Sequence, residues 1–439
     1  MKIVRFAVLF LLGAFPQAGF SQHEHMHQPD EEPMVMSSML FPHAPMERDG
    51  SGTSWMPDIS PMRAVHAQWG EWNTMMHGSI FLRYTNQDVS GSGSRGDSKL
   101  SAPNWFMFMA SRSVGKQGKF MARGMVSFDR LTEGGNGYPL LFQTGETWEG
   151  VHLIDRQHPH DLFSELALAY SHSLSDDAGL FVYLAYPGEP ALGPPAFMHR
   201  SSAMNNPDAP ISHHWQDATH ITFGVGTVGL QYENFKVDGS IFTGREPDEN
   251  RFDFDKPRFD SWSGRITMNP TERTSLQVSH GFLKSPEALE PDLDIRRTTA
   301  SLLYHVVTGE GGYWTTSLVW GANKPGSHEL QNSFLLESDF QFAGGSLYGR
   351  AELVQKEGHE LGVGSIGDQL AWTRSLTLGV QKDVAVLGTV DLSVGAQGTY
   401  YFVDKDLQMD YGSHPFSIGI FIQLKPMLME MGAVNGHKH

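Results

Sequence analysis

The chain contains no cysteine among its 439 residues. Disulfides, thiolate metal ligands and a lipid anchor on an N-terminal cysteine are thereby excluded. No segment approaches eighteen consecutive apolar residues, which excludes a helical inner-membrane protein. Positive charge is scarce: 32 Lys and Arg stand against 49 Asp and Glu, a formal net charge of -17. Such acidity argues against nucleic acid as a partner and is compatible with binding cations. Glycine is abundant, at 47 residues, and aromatics make up 11%. That composition fits a turn-rich β protein.

Residues 1–21 read as a secretory signal peptide: Lys2 and Arg5 at the charged start, an apolar stretch from Phe6 to Phe15, and small residues Ala18, Gly19 and Ser21 near the cleavage site. Residues 22–74 carry prolines, glycines and charges without a sustained period, which predicts a disordered periplasmic arm. The arm is rich in methionine (Met26, Met34, Met36, Met39, Met46, Met56, Met62) and histidine (His23, His25, His27, His43, His66). Thioether and imidazole together suit copper in both oxidation states. From about Gly78 onward, segments of about ten residues alternate apolar and polar positions, the pattern of transmembrane barrel strands. In SLYGRAELV, Leu347, Gly349, Ala351 and Leu353 share one face, and Tyr348, Arg350 and Glu352 the other. About sixteen strands (roughly 14 to 18) are expected over 75–425, followed by a tail over 426–439. Their connections run long, short, long, short, and outer-membrane barrels have short periplasmic turns and longer extracellular loops. The predicted fold is all-β, an antiparallel transmembrane β-barrel in the outer membrane with its long loops at one end. A soluble β-sandwich is the alternative, but it does not call for that parity.

The long connections carry the chemistry. The one between strands three and four ends in DRQHPHD, with Asp155, Arg156, His158, His160 and Asp161. The one between five and six holds PGEPALGPPAFMHR and PISHHWQDATH, with His199, Arg200, His213, His214, Asp217 and His220. Between seven and eight lies GREPDENRFDFD, with Arg245, Glu246, Asp248 and Arg251. Eight of the 21 histidines fall between His152 and His220, a clustering that composition alone does not explain. Imidazole with carboxylate is a ligand set for Zn, Cu, Ni or Fe. His158, His160, His199, His213, His214 and His220 are the expected ligands. Asp155, Asp161 and Asp217 are expected as further ligands or as carboxylates that orient an imidazole. Arg156, Arg200, Arg245, Glu246, Asp248 and Arg251 would line a constriction. The bland alternative is a rigid plug of arginine–carboxylate and histidine–carboxylate pairs. In NWFMFMAS and KFMARGMVSF, Met121 and Met125 share a face with Arg123, and Met107 and Met109 are expected on the same wall. Arg123 marks that face as luminal, because charge on the lipid face is costly. A thioether wall suits Cu(I), although methionine also fills irregular space.

A signal peptide, a Met/His-rich arm and an acidic barrel together resemble, in overall organisation, the copper-resistance outer-membrane barrels of Gram-negative bacteria. The resemblance implies metal handling at the outer membrane and nothing about individual ligands. The loop motifs DRQHPHD, PPAFMHR, SHHWQDATHITFG and GREPDENR look like a separate, uncharacterised group of Gram-negative proteins, from which no function carries over. The expected function is binding or passage of a transition metal, copper first and zinc as the other candidate, at the loop constriction. Expected partners are outer-membrane lipid and the ion or a small solute, and an oligomer is compatible with the fold. The alternatives are a porin-like channel for a small organic or anionic solute and a barrel-embedded metal-dependent hydrolase. For the hydrolase, no nucleophile elbow or ordered triad stands out in the sequence.

Overall fold

A computed structural model describes residues 37–41, 43–309 and 311–429. The first eight barrel strands are β1 Trp72–Asn86, β2 Asn104–Val114, β3 Gly118–Val126, β4 Phe163–Ser173, β5 Ala178–Ala185, β6 Val225–Tyr232, β7 Phe235–Phe242 and β8 Ser261–Thr271. The second eight are β9 Thr274–Leu283, β10 Ile295–Gly309, β11 Gly312–Pro325, β12 Gln331–Phe342, β13 Gly345–Glu357, β14 Leu370–Leu387, β15 Val390–Val403 and β16 Phe416–Pro426. Each pairs antiparallel with the next. Strand β16 then returns to β1 with Leu424 opposite Ile80 and Ile418 opposite Asn86, closing a sixteen-stranded barrel. Closure pairs the strands all the way round without an open edge, which is the condition for a sheet to cross a bilayer.

The two faces differ as the alternation predicts. On β13, Leu347 and Leu353 are 53% and 40% exposed, whereas Tyr348, Arg350 and Glu352 are buried. On β5, Leu180, Val182 and Leu184 face outward while Phe181 and Tyr183 face the lumen. An apolar exterior around a charged interior identifies a barrel of the outer membrane. Among the described residues no helix is long and apolar enough to cross a membrane; strands make the crossing. Seven connections span only two to four residues, and they alternate strictly with the longer ones at 87–103, 127–162, 186–224, 243–260, 284–294, 326–330, 358–369 and 404–415. All the histidine-bearing motifs therefore enter from one end, the extracellular end for a barrel of this type.

Two expectations change. Residues 37–64, expected within a disordered arm over 22–74, are instead packed inside the barrel at its short-turn end. Lys119 of β3 donates to Ser38 O, and Lys236 of β7 to Thr53 O. Arg265 of β8 reaches Thr53 Oγ1 at 2.8 Å, and Asn269 reaches Met56 O at 2.8 Å. Arg48 grips Asp58 with two donors, at 2.7 and 2.6 Å. Met39, Phe41, Met46 and Trp55 join the luminal core beside Met121 and Phe181. The partners are three charged residues and one amide spread over distant strands, which local composition cannot reveal. Residues 65–69 then form a short strand paired with the start of β1. The signal peptide, residues 22–36 of the arm and the tail from 430 lie outside the described residues.

In the sequence the alternation of the sixth strand extends back to Thr219, which predicts a strand over 219–228, but the strand begins at Val225. The alternating Thr219, Ile221 and Phe223 are all buried, and Gly224 turns the chain with φ +100°. Their period mimics a strand although the segment belongs to the filled lumen.

Candidate functional site

The connections 127–162 and 186–224 fold back into the lumen. Six prolines between Pro187 and Pro210 restrict φ along the second of them. Its helical turn His213–Gln216 lies against β11, where Gly321 leaves the space: a Cβ there would sit 2.2 Å from Trp215 O. Arg297 of β10 and Asn323 of β11 donate to His214 O at 2.6 and 3.1 Å. Arg200, fully buried, ties the connection to the wall through Glu337 of β12 at 2.5 Å.

Five imidazoles from the two connections form a closed ring. Successive ring centroids are 5.7 Å (His214 to His158), 6.1 Å (His158 to His160), 5.5 Å (His160 to His220), 5.1 Å (His220 to His213) and 5.2 Å (His213 to His214). Phe197 packs against it, 5.3 Å from His213. One nitrogen from each of His158, His213 and His214 lies within 4.8 Å of the other two.

Each ring is held by its Nδ1. His160 donates to Asp129 Oδ2 at 2.7 Å, His213 to Asp217 Oδ1 at 2.6 Å and His220 to Asp217 O at 2.9 Å. His158 Nδ1 lies 3.2 Å from both Pro159 O and Glu146 Oε1, and His214 Nδ1 lies 3.4 Å from Glu246 Oε1. Two of these carboxylates are themselves gripped by arginine: Asp217 by Arg200 at 2.6 Å, and Glu146 by Arg251. A carboxylate acceptor fixes the proton on Nδ1 and leaves Nε2 as the bare acceptor. Four of those Nε2 atoms, on His158, His160, His214 and His220, are buried without a hydrogen-bond partner among the described residues. Leaving a buried polar atom unsatisfied costs about 1–3 kcal/mol, so the ring presents four buried acceptors open to a water or a ligand.

Burial favours the neutral form of three of the rings, His158, His213 and His220. Burial, reinforced by neighbouring imidazoles, pushes His158 and His220 well below the ordinary value of 6.5. Burial also lowers His213, although Asp217 opposes it. Asp217 stays ionised below the usual carboxylate range: burial alone would raise it, but Arg200 and His213 outweigh that. Glu246 is lowered likewise, with His214 outweighing burial. Neutral imidazole with its far nitrogen bound to carboxylate is the form in which histidine ligates metals.

Neither the models of known protein families nor the curated proteins yield a match to the chain. Among solved structures, the chain is similar to the OmpF porin of Salmonella typhi in complex with daunomycin, with TM-score 0.49 and 9% identity, over 82% of this chain and 100% of that one. It is also similar to an anion-selective porin from Comamonas acidovorans, with TM-score 0.46 and 12% identity, over 81% of this chain and 100% of that one. The OmpT outer-membrane protein of Vibrio cholerae gives TM-score 0.45 and 6% identity, over 82% and 100% of the two chains.

Of the residues singled out in the sequence, His158, His160, His213, His214 and His220 come together, with Asp217 and Glu246 behind them. The others separate. Asp155 turns away, accepting from Phe142 N at 2.7 Å beside Arg95, and burial pushes its carboxyl up to about 6. Asp161 accepts from Arg251 at 3.1 Å, outside the ring. His199 lies apart, 4.7 Å from the Trp105 ring and 5.7 Å from His77. The arginines do not line an open constriction. Arg200 and Arg251 are neutralised by carboxylates, Arg156 pairs with Asp97 at 2.8 Å, and Arg245 donates to Ser285 O at 2.6 Å. Asp248 is exposed and lies among Asp253 and Asp255. Met107, Met109, Met121 and Met125 are buried on the luminal face, Met109 opposite Arg123. Sequence reasoning missed Asp129 and Glu146, because single acids in long loops carry no spacing signal. It also missed His77, an isolated histidine in a strand.

Proposed function

We propose that the protein is a porin-like outer-membrane barrel for small solutes whose lumen is closed by a plug, and that the plug takes up a divalent transition-metal ion at its histidine ring. The observation that carries the metal reading is the ring itself: five imidazoles held by Nδ1, with four unsatisfied Nε2 atoms buried among them. His158, His213 and His214 would hold the ion directly, while Asp217, Glu146 and Glu246 orient them. Imidazole donors suit Cu(II), Zn(II) or Ni(II), and copper stays first because Cu(II) binds such donors most tightly among the divalent ions. The broader reading, porin-like passage of a small organic or anionic solute, is supported by the closed sixteen-stranded barrel. It requires the connection 186–224 to move, because that segment fills the lumen. The test is elemental analysis of the purified barrel beside the variant His158→Asn/His213→Asn. The metal reading expects a stoichiometric ion that the variant loses. Equal, substoichiometric metal in both would leave only the channel reading, which bilayer conductance then measures.

A further inference from the structure

Below the histidine ring lie two cavities, each of about 60 Å³. The first begins at His158 and His160 and runs past Trp105 to His77. The second continues from His77 towards Glu47 and Asp49 at the short-turn end. The two share Arg63, His77 and Met204 in their walls, so they follow one another down the β1–β2 side of the lumen. Each has room for a few water molecules or one ion.

The second cavity has an unusual lining. Six thioethers line it, Met56 and Met62 from the segment 37–64 and Met75, Met107, Met109 and Met204 from β1, β2 and the connection 186–224, and they meet two imidazoles, His77 and His199. His77 donates Nδ1–H to Arg63 O at 2.7 Å, which frees Nε2 as an acceptor. His199 makes no side-chain hydrogen bond among the described residues, although it is enclosed between His77 and Trp105. Met121 and Met125 line neither cavity, whereas Met75, Met107 and Met109, which share the same buried core with Met39 and Phe41, also border the second cavity, and space-filling explains the first pair. It does not explain thioethers that border open volume beside an unpartnered imidazole. Uncharged sulfur and imidazole donors bind hard divalent ions poorly and soft monovalent ions well.

We infer that His77, His199, Met75, Met107, Met109 and Met204 form a second metal site, for a soft monovalent cation of the Cu(I) or Ag(I) class. The site is separate from the histidine ring and is reached through the cavity they share. The ion binds as the monovalent species, so no electron transfer is involved. Glu47 and Asp49, from the segment packed at the short-turn end, line the same cavity.

The probes are Ag(I) in chloride-free buffer and Co(II), applied to the detergent-purified full chain. The variant Met75→Leu/Met107→Leu/Met109→Leu conserves side-chain volume and should fold. His199→Gln, on a loop, serves as a second variant that leaves the strands untouched. We expect wild type to bind one more equivalent of Ag(I) than either variant, with sulfur neighbours in its X-ray absorption spectrum and unchanged Co(II) binding. Equal Ag(I) stoichiometry in wild type and both variants, or a spectrum without sulfur, overturns the second site. The ring is judged separately, by loss of Co(II) binding in His158→Asn/His213→Asn with Ag(I) retained.

Discussion

Asp217 holds two neighbours at once, Arg200 through Oδ2 and His213 through Oδ1. Replacing it with alanine removes one of the two carboxylates on the fully buried Arg200 and leaves Glu337 in place, so the loss should fall below the cost of an uncompensated buried charge, about 3–5 kcal/mol. It also frees the His213 ring to rotate, and removing a carboxylate behind a ligating imidazole typically weakens metal binding by about 10–100-fold. Competition titration with a chromophoric chelator should show that weakening, with the barrel still folded by its heat-dependent gel mobility. Gly145 makes a second test at this scale. A Cβ added there would lie 2.4 Å from His214 Cε1, and the position has φ +124°. Gly145→Ala should therefore expel the His214 ring and lower metal occupancy while the strands stay intact. Unchanged occupancy would show that His214 is not a ligand.

The connection 186–224 is the element whose stability should follow pH. His213 and His220, packed against His158 of the other connection, have folded values below 6.5 because burial disfavours the imidazolium. Between those values and 6.5 the open form binds more protons than the packed form, so packing stability rises with pH in that window. It is fully present above about 6.5 and is lost as the solution is acidified. Hydrogen exchange of residues 197–220, corrected for its intrinsic pH dependence, should show less protection at pH 5.5 than at pH 7.5. The strands β10 to β13 should show no such change. Equal protection at both pH values would mean that the rings are already solvated. Strand positions were legible because alternation is a local signal, enforced by lipid outside and charge inside. The start of β6 was not, since Ile221 and Phe223 bury against the plug with the same period that lipid contact would impose.

For the whole molecule, the question is whether the plug moves. Ser202 Oγ on the connection 186–224 lies 2.6 Å from Ser317 Oγ on β11. Cysteines at the two positions can form a disulfide, and no native cysteine competes. If passage requires the plug to leave the wall, oxidised Ser202→Cys/Ser317→Cys should conduct less in planar bilayers than its reduced form. Identical conductance would mean that solutes pass without that motion. The segment 37–64 adds a second closure at the opposite end, anchored by Lys119, Lys236 and Arg265.

Alternation and loop parity are properties of neighbouring residues, and they alone determined the barrel, a count of about sixteen strands within roughly 14 to 18, and the end at which the histidine motifs gather; closure of β16 on β1 fixed the count. The burial of the methionines on the face of Arg123 followed from the same period. The ring was decided only by the tertiary structure. His158 and His213 meet because two separate connections fold into one lumen, and Asp129 and Glu146 become partners only there. The lodging of 37–64 was likewise invisible, because its aperiodic composition of prolines, glycines and charges reads as disorder until Lys119, Lys236, Arg265 and Asn269, on three distant strands, supply hydrogen-bond partners. Contacts between residues far apart in the chain depend on closure of the barrel, and no local pattern encodes which luminal charge will face which loop.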